Sequence, residues 1–279
     1  MSYRKFKLIN NIGAEYDLCD SRHWFNSPDG LGFSKSFDSL QVGSAFVLSD
    51  SNLNQQAITG EIVFKDYSDY SEFVNFIAVG DLTFAYQPRD SVTWYYRSCE
   101  VQSLKKSEID ANTHRLHCNV DFLCFSQWYE SVFAEKTNEP IEGNTTFPLV
   151  FPFTFVDANM NEVNINNTSK SLAPCKIKIA GPCVNPRWVL NANDERIADG
   201  EVDITLNANE YLIIDSNIES MRIVKIGSDG METNAYQYSN FDTDRFIYAP
   251  SGKSTLLFLH DSSAALEVVV EVRKVADTI

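Results

Sequence analysis

Apolar and polar residues alternate with a period of two in several short runs along this chain. Leu82, Phe84 and Tyr86 form one, and Cys175, Ile177 and Ile179 form another with Lys176 and Lys178 between them. Val202, Ile204 and Leu206 form a third, and Val268, Val270 and Val272 follow between Glu267, Glu271 and Arg273. Successive side chains of a strand point to opposite faces, so each run predicts a strand with one face buried. The run Leu116, Cys118, Val120, Phe122 and Cys124 likewise sends two thiols to the apolar face of one strand. Turn signals separate these runs at Pro28-Asp29-Gly30, Gly60, Gly80, Asp199-Gly200, Ser228-Asp229-Gly230 and Ser251-Gly252. Many short strands with such punctuation predict a mainly β protein built from β-sheets and β-sandwiches rather than parallel α/β units.

One helix interrupts the β pattern. From Ser68 to Val79 the apolar residues Tyr70, Phe73, Val74 and Ile77 recur at three and four, Asp69 and Glu72 occupy the first turn, and Gly80 follows as a stop. A second, shorter helix is a candidate over Phe125 to Glu135, where Trp128, Val132 and Phe133 form a possible face. From Glu135 to Phe153 polar residues, Gly143 and three prolines replace the periodic pattern, which predicts a connection. The boundary falls near residue 140, giving an N-terminal domain over 1–139 and a C-terminal domain over 140–279. No internal repeat of solenoid or propeller length is visible.

Composition narrows the functional classes. A chain of 279 residues with 44% hydrophobic and 22% charged residues can bury two ordinary cores, and it contains no 20-residue apolar run that would span a membrane. The N-terminal Arg4, Lys5 and Lys7 are followed by polar and acidic residues instead of an apolar segment, so no secretion signal is expected. The formal net charge is −15; residues 1–139 carry 12 basic and 19 acidic side chains, residues 140–279 carry 11 and 19. Two acidic halves lack the basic patch that releases counterions from nucleic acid, so no sequence-specific nucleic-acid binding is expected. An acidic wall does suit a pore through which DNA slides without being gripped.

The reactive residues form no catalytic pattern. The six cysteines include no Cys-x-x-Cys pair and read as free core thiols of a chain made in a reducing cytoplasm. His114, His117 and Cys118 are close in sequence, but on a strand His117 faces away from the other two, so no metal site is expected. His23 and His260 stand alone among polar neighbours and read as surface residues. No nucleophile elbow, P-loop or dinucleotide fingerprint occurs, so neither an enzyme nor a cofactor is expected. The rival reading is a carbohydrate-binding adhesion module, in which exposed aromatics of a sandwich stack on sugar rings; Trp188 and Tyr211 are its candidates, with Tyr236, Tyr238 and Tyr248 nearby in sequence. Packing of Trp188 in a core, and of Tyr236 and Tyr238 on one strand face, is the competing account of the same residues.

The first 80 residues carry an ordered string of turn glycines and aromatics. It runs from Asn10-Asn11-Ile12-Gly13-Ala14-Glu15-Tyr16-Asp17-Leu18 through Pro28-Asp29-Gly30-Leu31-Gly32-Phe33 and Val42-Gly43-Ser44-Ala45-Phe46, and ends in Gly60-Glu61-Ile62-Val63-Phe64-Lys65-Asp66-Tyr67, Tyr70, Phe73 and Phe76. This order resembles the N-terminal domain of the distal tail proteins of long-tailed, non-contractile phages. The strand, Gly-Pro turn and aromatic run from Cys175 to Trp188, with Glu210 to Ser216 and Ala249 to Leu256, is similar to later stretches of the same family.

The resemblance implies an N-terminal domain with a sheet, one helix and a projecting β-hairpin, followed by a galectin-like β-sandwich. It further implies a homo-oligomer, a hexameric ring at the tail tip of the virion. That ring would join the tail tube protein to the tail-associated fibre or lysin protein and to receptor-binding or baseplate proteins, with DNA passing through the lumen. Such a protein is made in the cytoplasm of the bacterial host. The candidate ring-forming hairpin is the stretch Phe33 to Phe64, two apolar strands around a polar turn placed at Asp50 to Gln55, with Phe46, Val47, Leu48, Leu53, Ile58 and Ile62 as interface residues.

Overall fold

The computed structural model describes residues 3–137, 161–262 and 266–276. The chain is mainly β with one α-helix, and it divides into two compact units: residues up to Glu130 together with Ala276 onward, and residues Ser131–Val275. The connection expected between Glu135 and Phe153, with its boundary near residue 140, lies largely outside the described residues.

The first unit contains β1 (Lys5–Ile9), β2 (Glu15–Asp17), β3 (His23–Asp29), β4 (Lys35–Val42), β5 (Ala45–Leu53), β6 (Ala57–Phe64), α1 (Tyr67–Ile77), β7 (Leu82–Gln87), β8 (Tyr95–Ile109), β9 (Leu116–Cys124) and the start of β10 (Tyr129–Thr137). These strands pair antiparallel in the order β2-β1-β7-β8-β9-β6-β3 through one sheet. The long strand β8 makes this possible, since Tyr95 to Cys99 pair with β7 and Cys99 to Ile109 pair with β9. Leu18 links the two ends: its N–H donates to the Phe6 carbonyl at 2.8 Å, and its own carbonyl accepts from the Phe25 N–H at 2.8 Å. The sheet therefore curls on itself.

Aromatic packing fills the curl. Phe6 of β1, Phe25 of β3, Phe84 of β7 and Phe122 of β9 are all fully buried, with ring centroids 5.3 Å apart for Phe6 and Phe25 and 5.2 Å for Phe84 and Phe122. Such edge-to-face and tilted contacts add to the area that these rings remove from water. The helix α1 forms where the periodicity requires one. The Asp66 side chain accepts from the Ser68 and Asp69 N–H groups as N-cap, and Gly80, at φ +81°, turns the chain away at the end. Phe73 carries the helix into the core, 5.5 Å from Phe64 and 5.3 Å from Tyr16.

Phe125 to Glu135 is not helical; its C-terminal half is the strand β10. The Phe125 N–H donates to the Ser98 carbonyl, the Ser98 N–H to Ser126 Oγ, and Arg97 Nε to the Ser126 carbonyl, so bonds to β8 occupy the groups with which a helix would begin. His23 and His260 are buried, not surface residues; His23 shares the inward face of β3 with Phe25 and stacks on Tyr16.

The second unit contains the remainder of β10 and β11 (Asn161–Asn167), β12 (Ala173–Ala180), β13 (Cys183–Val184), β14 (Arg187–Ala192), β15 (Glu195–Glu201), β16 (Thr205–Leu206), β17 (Tyr211–Asp215), β18 (Arg222–Ile226), β19 (Glu232–Asn234), β20 (Tyr248–Ala249), β21 (Gly252–Leu259) and β22 (Glu267–Val275). One layer runs β19-β18-β17-β12-β22 and the other β11-β21-β14-β15. Ile177, Ile179, Leu212, Ile214, Val268 and Val270 of the first layer meet Val163, Ile165, Trp188, Leu190, Leu256 and Phe258 of the second in one core, which makes this unit a β-sandwich. The run Val202 to Leu206 is not one strand: β15 ends at Glu201, and the Asp203 N–H is bound by the Tyr238 carbonyl.

Trp188 is fully buried and sits directly opposite Gly200 in the β14/β15 register. A Cβ on Gly200 would overlap the indole ring, so glycine is the residue that lets the tryptophan lie across β15. Five thiols, those of Cys99, Cys118, Cys124, Cys175 and Cys183, are buried, and Cys19 is half-buried. Burial pushes the Cys175 and Cys183 thiols up to about 12 and raises Cys99, which faces Cys124 across β8 and β9. At neutral pH these thiols stay protonated, so they pack as small apolar groups and do not act as nucleophiles.

Replacing Gly200 by Val is expected to cost about 1–3 kcal/mol, by overpacking against the indole; urea midpoints measure this, and an unchanged midpoint would refute the packing role. In the native protein at neutral pH a disulfide reagent should label at most Cys19 rapidly, whereas all six thiols should react in guanidinium. Rapid labelling of a second native thiol would contradict the buried assignment.

Candidate interaction surface

The strands β4 and β5 leave the first unit as a two-stranded ribbon that pairs with no other described strand. Their turn is the two-residue loop Gly43-Ser44, between Val42 and Ala45. Gly43 has φ +64° and Ser44 has no positive φ, which matches the hairpin loop that needs glycine at its first central position. The tip expected at Asp50 to Gln55 does not form there, because Asp50 to Leu53 belong to β5. Opposite residues pair as Val42 with Ala45, Gln41 with Phe46, Leu40 with Val47 and Ser39 with Leu48, after which Ser49 is extra and Asp38 pairs with Asp50. This bulge is held by a bond from Ser49 Oγ to the Asp38 carbonyl at 2.9 Å.

The ribbon is rooted firmly. The Asn54 N–H donates to the Ser34 carbonyl at 3.0 Å and closes the base. On the outgoing leg Trp128 Nε1 donates to the Leu31 carbonyl at 2.9 Å; on the returning leg Gln55 Nε2 donates to the Cys124 carbonyl at 3.0 Å and the Cys124 N–H donates to the Gln56 carbonyl at 2.9 Å. Past this root no residue of β4 or β5 is buried, although the ribbon carries Phe37, Leu40, Val42, Phe46, Val47, Leu48 and Leu53. Phe46 is 72% exposed and Leu40 65%. A soluble protein rarely leaves so large a contiguous apolar surface in water without a partner for it.

Of the six interface candidates, Phe46, Val47, Leu48 and Leu53 lie together on this ribbon. Ile58 and Ile62 lie on β6 and are fully buried in the core of the first unit, so they are not available to a partner. Phe37, Leu40 and Val42, on the other strand, are not among the candidates; alternation of Leu40 and Val42 around Gln41 was a signal for those two, whereas Phe37 lies on the opposite face and breaks that period. The carbohydrate candidates separate from each other. Trp188 presents no face to a sugar ring, because the sandwich core encloses it. Tyr211 is half-buried, and the Lys178 ammonium sits 4.0 Å from its ring centroid. Tyr236 and Tyr238 do not pack on a strand face; they form a 3₁₀ turn at the surface, where Arg245 lies over Tyr236 and Phe241.

The polar chemistry of the first unit collects in a shallow hollow beside His23, Trp24, Val63, Arg115 and His117. His117 Nδ1 lies 3.0 Å from Glu61 Oε1, and His23 Nδ1 lies 3.3 Å from the Tyr16 hydroxyl. Burial, with the nearby Glu72 carboxylate, pushes the Tyr16 phenol up, so it meets His23 as a neutral group. Asp20, Ser21 and Thr113 also line the hollow, with the Thr113 hydroxyl bonded to Asp110 Oδ1 rather than to either imidazole, and among the described residues no three His, Cys, Asp or Glu side chains are grouped to hold a metal ion. The hollow can bind a polar group but contains no arranged acid, base and nucleophile.

Residues 5–125, the segment that contains both the curled sheet and the ribbon, match the family model described as the distal tail protein, N-terminal domain. The fold is similar to that of a chain in the structure of the phage P2 baseplate in its activated conformation with Ca, at 14% identity and a TM-score of 0.71, with 99% of each chain covered. The same likeness holds for the phage P2 baseplate in its activated conformation with Sr. The crystal structure of the SPP1 Dit (gp 19.1) protein, described as a paradigm of hub adsorption apparatus in Gram-positive infecting phages, is similar at 12% identity and a TM-score of 0.55, over 96% of this chain and 98% of that one. At such identities the likeness is one of fold. No curated protein sequence matches the chain. Residues 5–125 of the chain therefore correspond to the N-terminal domain of the distal tail protein family.

Proposed function

We propose that this protein is the ring subunit of a siphophage tail tip, six copies of which close head to tail through the β4/β5 hairpin. The single observation that carries the reading is that hairpin: a well-rooted ribbon whose apolar residues find no cover within their own chain. A two-stranded ribbon is marginal alone, and removing a Phe or Leu side chain from water contributes roughly 1.5–3 kcal/mol, so contact with a neighbouring copy stabilises both the ribbon and the assembly. Repetition of one heterologous contact generates a ring when its rotation closes. The match of residues 5–125 to the distal tail protein N-terminal domain and the fold likeness to baseplate and hub proteins support the same role.

In this role the ring joins the tail tube protein to the tail-associated fibre or lysin protein and to receptor-binding or baseplate proteins. DNA passes through a lumen that the acidic chain does not grip. The second unit, a sandwich of the kind expected to be galectin-like, offers an outer surface for those neighbours, and the protein is made in the host cytoplasm before it joins the virion. Host adhesion through a bound sugar is not favoured, because Trp188, its leading aromatic, is sealed in the core.

Light scattering after size exclusion should give a mass near six times 31.6 kDa for the wild type, with a central channel in electron micrographs. The double variant Phe46→Asp/Val47→Asp should retain its melting temperature and run at the mass of a single chain. Persistence of the ring in that variant would sink the hairpin assignment.

A further inference from the structure

We infer that the hollow in the first unit is a binding site for an acidic saccharide, in which a pyranose ring stacks on Trp24 and its carboxylate meets Arg115. The site is independent of the ring reading and does not involve the sandwich aromatics. Strand register assembles it. Trp24 of β3, Val63 of β6 and His117 of β9 stand directly opposite one another, in one row across three strands. The adjoining row, His23, Phe64 and Leu116, is buried on the side of the aromatic core. Opposite residues of an antiparallel pair share a face and successive residues alternate, so Trp24, Val63 and His117 belong to the outer face, with Asn26 and Glu61 in the next row of that face.

The outer row combines an apolar plane with a concavity. Val63 is only 7% exposed, whereas Trp24 keeps 37% of its surface open to water at the hollow that both line. The hollow measures about 400 Å³, inside the range of roughly 300–1,000 Å³ over which small-molecule sites are found. An open indole beside such a hollow offers its face to the C–H side of a sugar ring, and the hydroxyls of that ring then need polar partners at the rim.

The polar groups at the rim specify the ligand. Asp20 Oδ1 accepts from the Arg22 and His23 N–H groups, and Asp20 Oδ2 lies 3.5 Å from Arg22 Nε. Glu61 Oε1 is held by His117 Nδ1, and the Thr113 hydroxyl by Asp110 Oδ1. These carboxylates are already answered within the chain. The Arg115 guanidinium, the Asn26 amide and the Ser21 hydroxyl line the same hollow with no partner among the described residues. In a chain with 38 acidic and 23 basic side chains, an arginine without a carboxylate is a charge left for a ligand. Its planar fork matches a carboxylate with two parallel hydrogen bonds, while the amide and the hydroxyl suit ring hydroxyls. A neutral sugar would leave the guanidinium unanswered, and a simple inorganic anion would leave the indole unused. A polynucleotide is opposed by the net charge of −15.

An array of uronic-acid-containing and neutral oligosaccharides, probed with the full chain, tests the site, and calorimetry on the members that bind measures the variants. The wild type should bind acidic members in preference to neutral ones. Trp24→Ala should weaken that binding by at least roughly tenfold and Trp24→Phe should restore most of it; Arg115→Gln should lower the acidic preference by roughly tenfold, as loss of a charge-assisted contact does. Tyr211→Ala, in the second unit, should bind as the wild type does, and all four variants should keep the wild-type melting temperature. An array without a single bound saccharide overturns the inference. Equal binding of acidic and neutral members, or an acidic preference that survives Arg115→Gln, removes the role given to the guanidinium. Binding lost in Tyr211→Ala but kept in Trp24→Ala would place the sugar on the second unit and refute the hollow as its site.

Discussion

A ribbon of two strands that carries large apolar side chains and no core of its own is the constraint on which the rest of this molecule depends. Water penalises the exposed Phe, Leu and Val side chains, and the ribbon has nothing within its own chain to place over them. Relief must come from outside. The conformation that exposes these residues has to be rigid, because a floppy hairpin would lose in ordering entropy much of what burial contributes. The first unit supplies that rigidity through bonds at the root, from Trp128 to Leu31 of the outgoing leg and from Gln55 of the returning leg to the Cys124 carbonyl.

Those root bonds depend in turn on the curled sheet. Trp128 is held against Phe84 and under the Arg97 guanidinium, and Cys124, whose backbone bonds Gln55 and Gln56, is the last residue of a strand zipped to both β6 and β8. The chain of dependence runs from four phenylalanines on four strands, through β8 and β9, to the base of the hairpin. In the proposed ring role the division of labour is plain: the core is aromatic and closed, and it aims the element that would make the contact.

Much of this organisation is legible in the residues themselves. Period-two runs at 116–124, 175–179 and 268–272 are strands with the expected faces buried, and the helix at Tyr67–Ile77 follows from its spacing and its Asp66 cap. The failures share a cause, which is that local pattern cannot see pairing. Asp50 to Gln55 is the most polar stretch between two apolar runs and looks like a turn, yet Gly43-Ser44 is the turn because only there can glycine take the positive φ of a two-residue loop. Ile58 and Ile62 continue the apolar pattern of Phe46 to Leu48, and period alone does not separate a projecting strand from one in the core. Trp128, Val132 and Phe133 are spaced as on a helix, but Ser98 and Arg97, thirty residues away, take up the backbone that a helix would need. His23 follows the polar run Asp20 to Arg22, yet on β3 it takes the inward face with Phe25 and meets Tyr16 and Phe64.

Hydrogen–deuterium exchange of the β4 and β5 amides, followed from dilute to concentrated protein, tests most directly the claim that a second copy covers the hairpin. An isolated ribbon opens readily, so its amides should exchange fast in dilute solution, and those of residues 39–49 should slow by orders of magnitude as the assembly forms, while the core amides of β9 and β12 remain slow throughout. Fast exchange across 39–49 at every concentration, or protection of those amides already present in the single chain, would contradict the account.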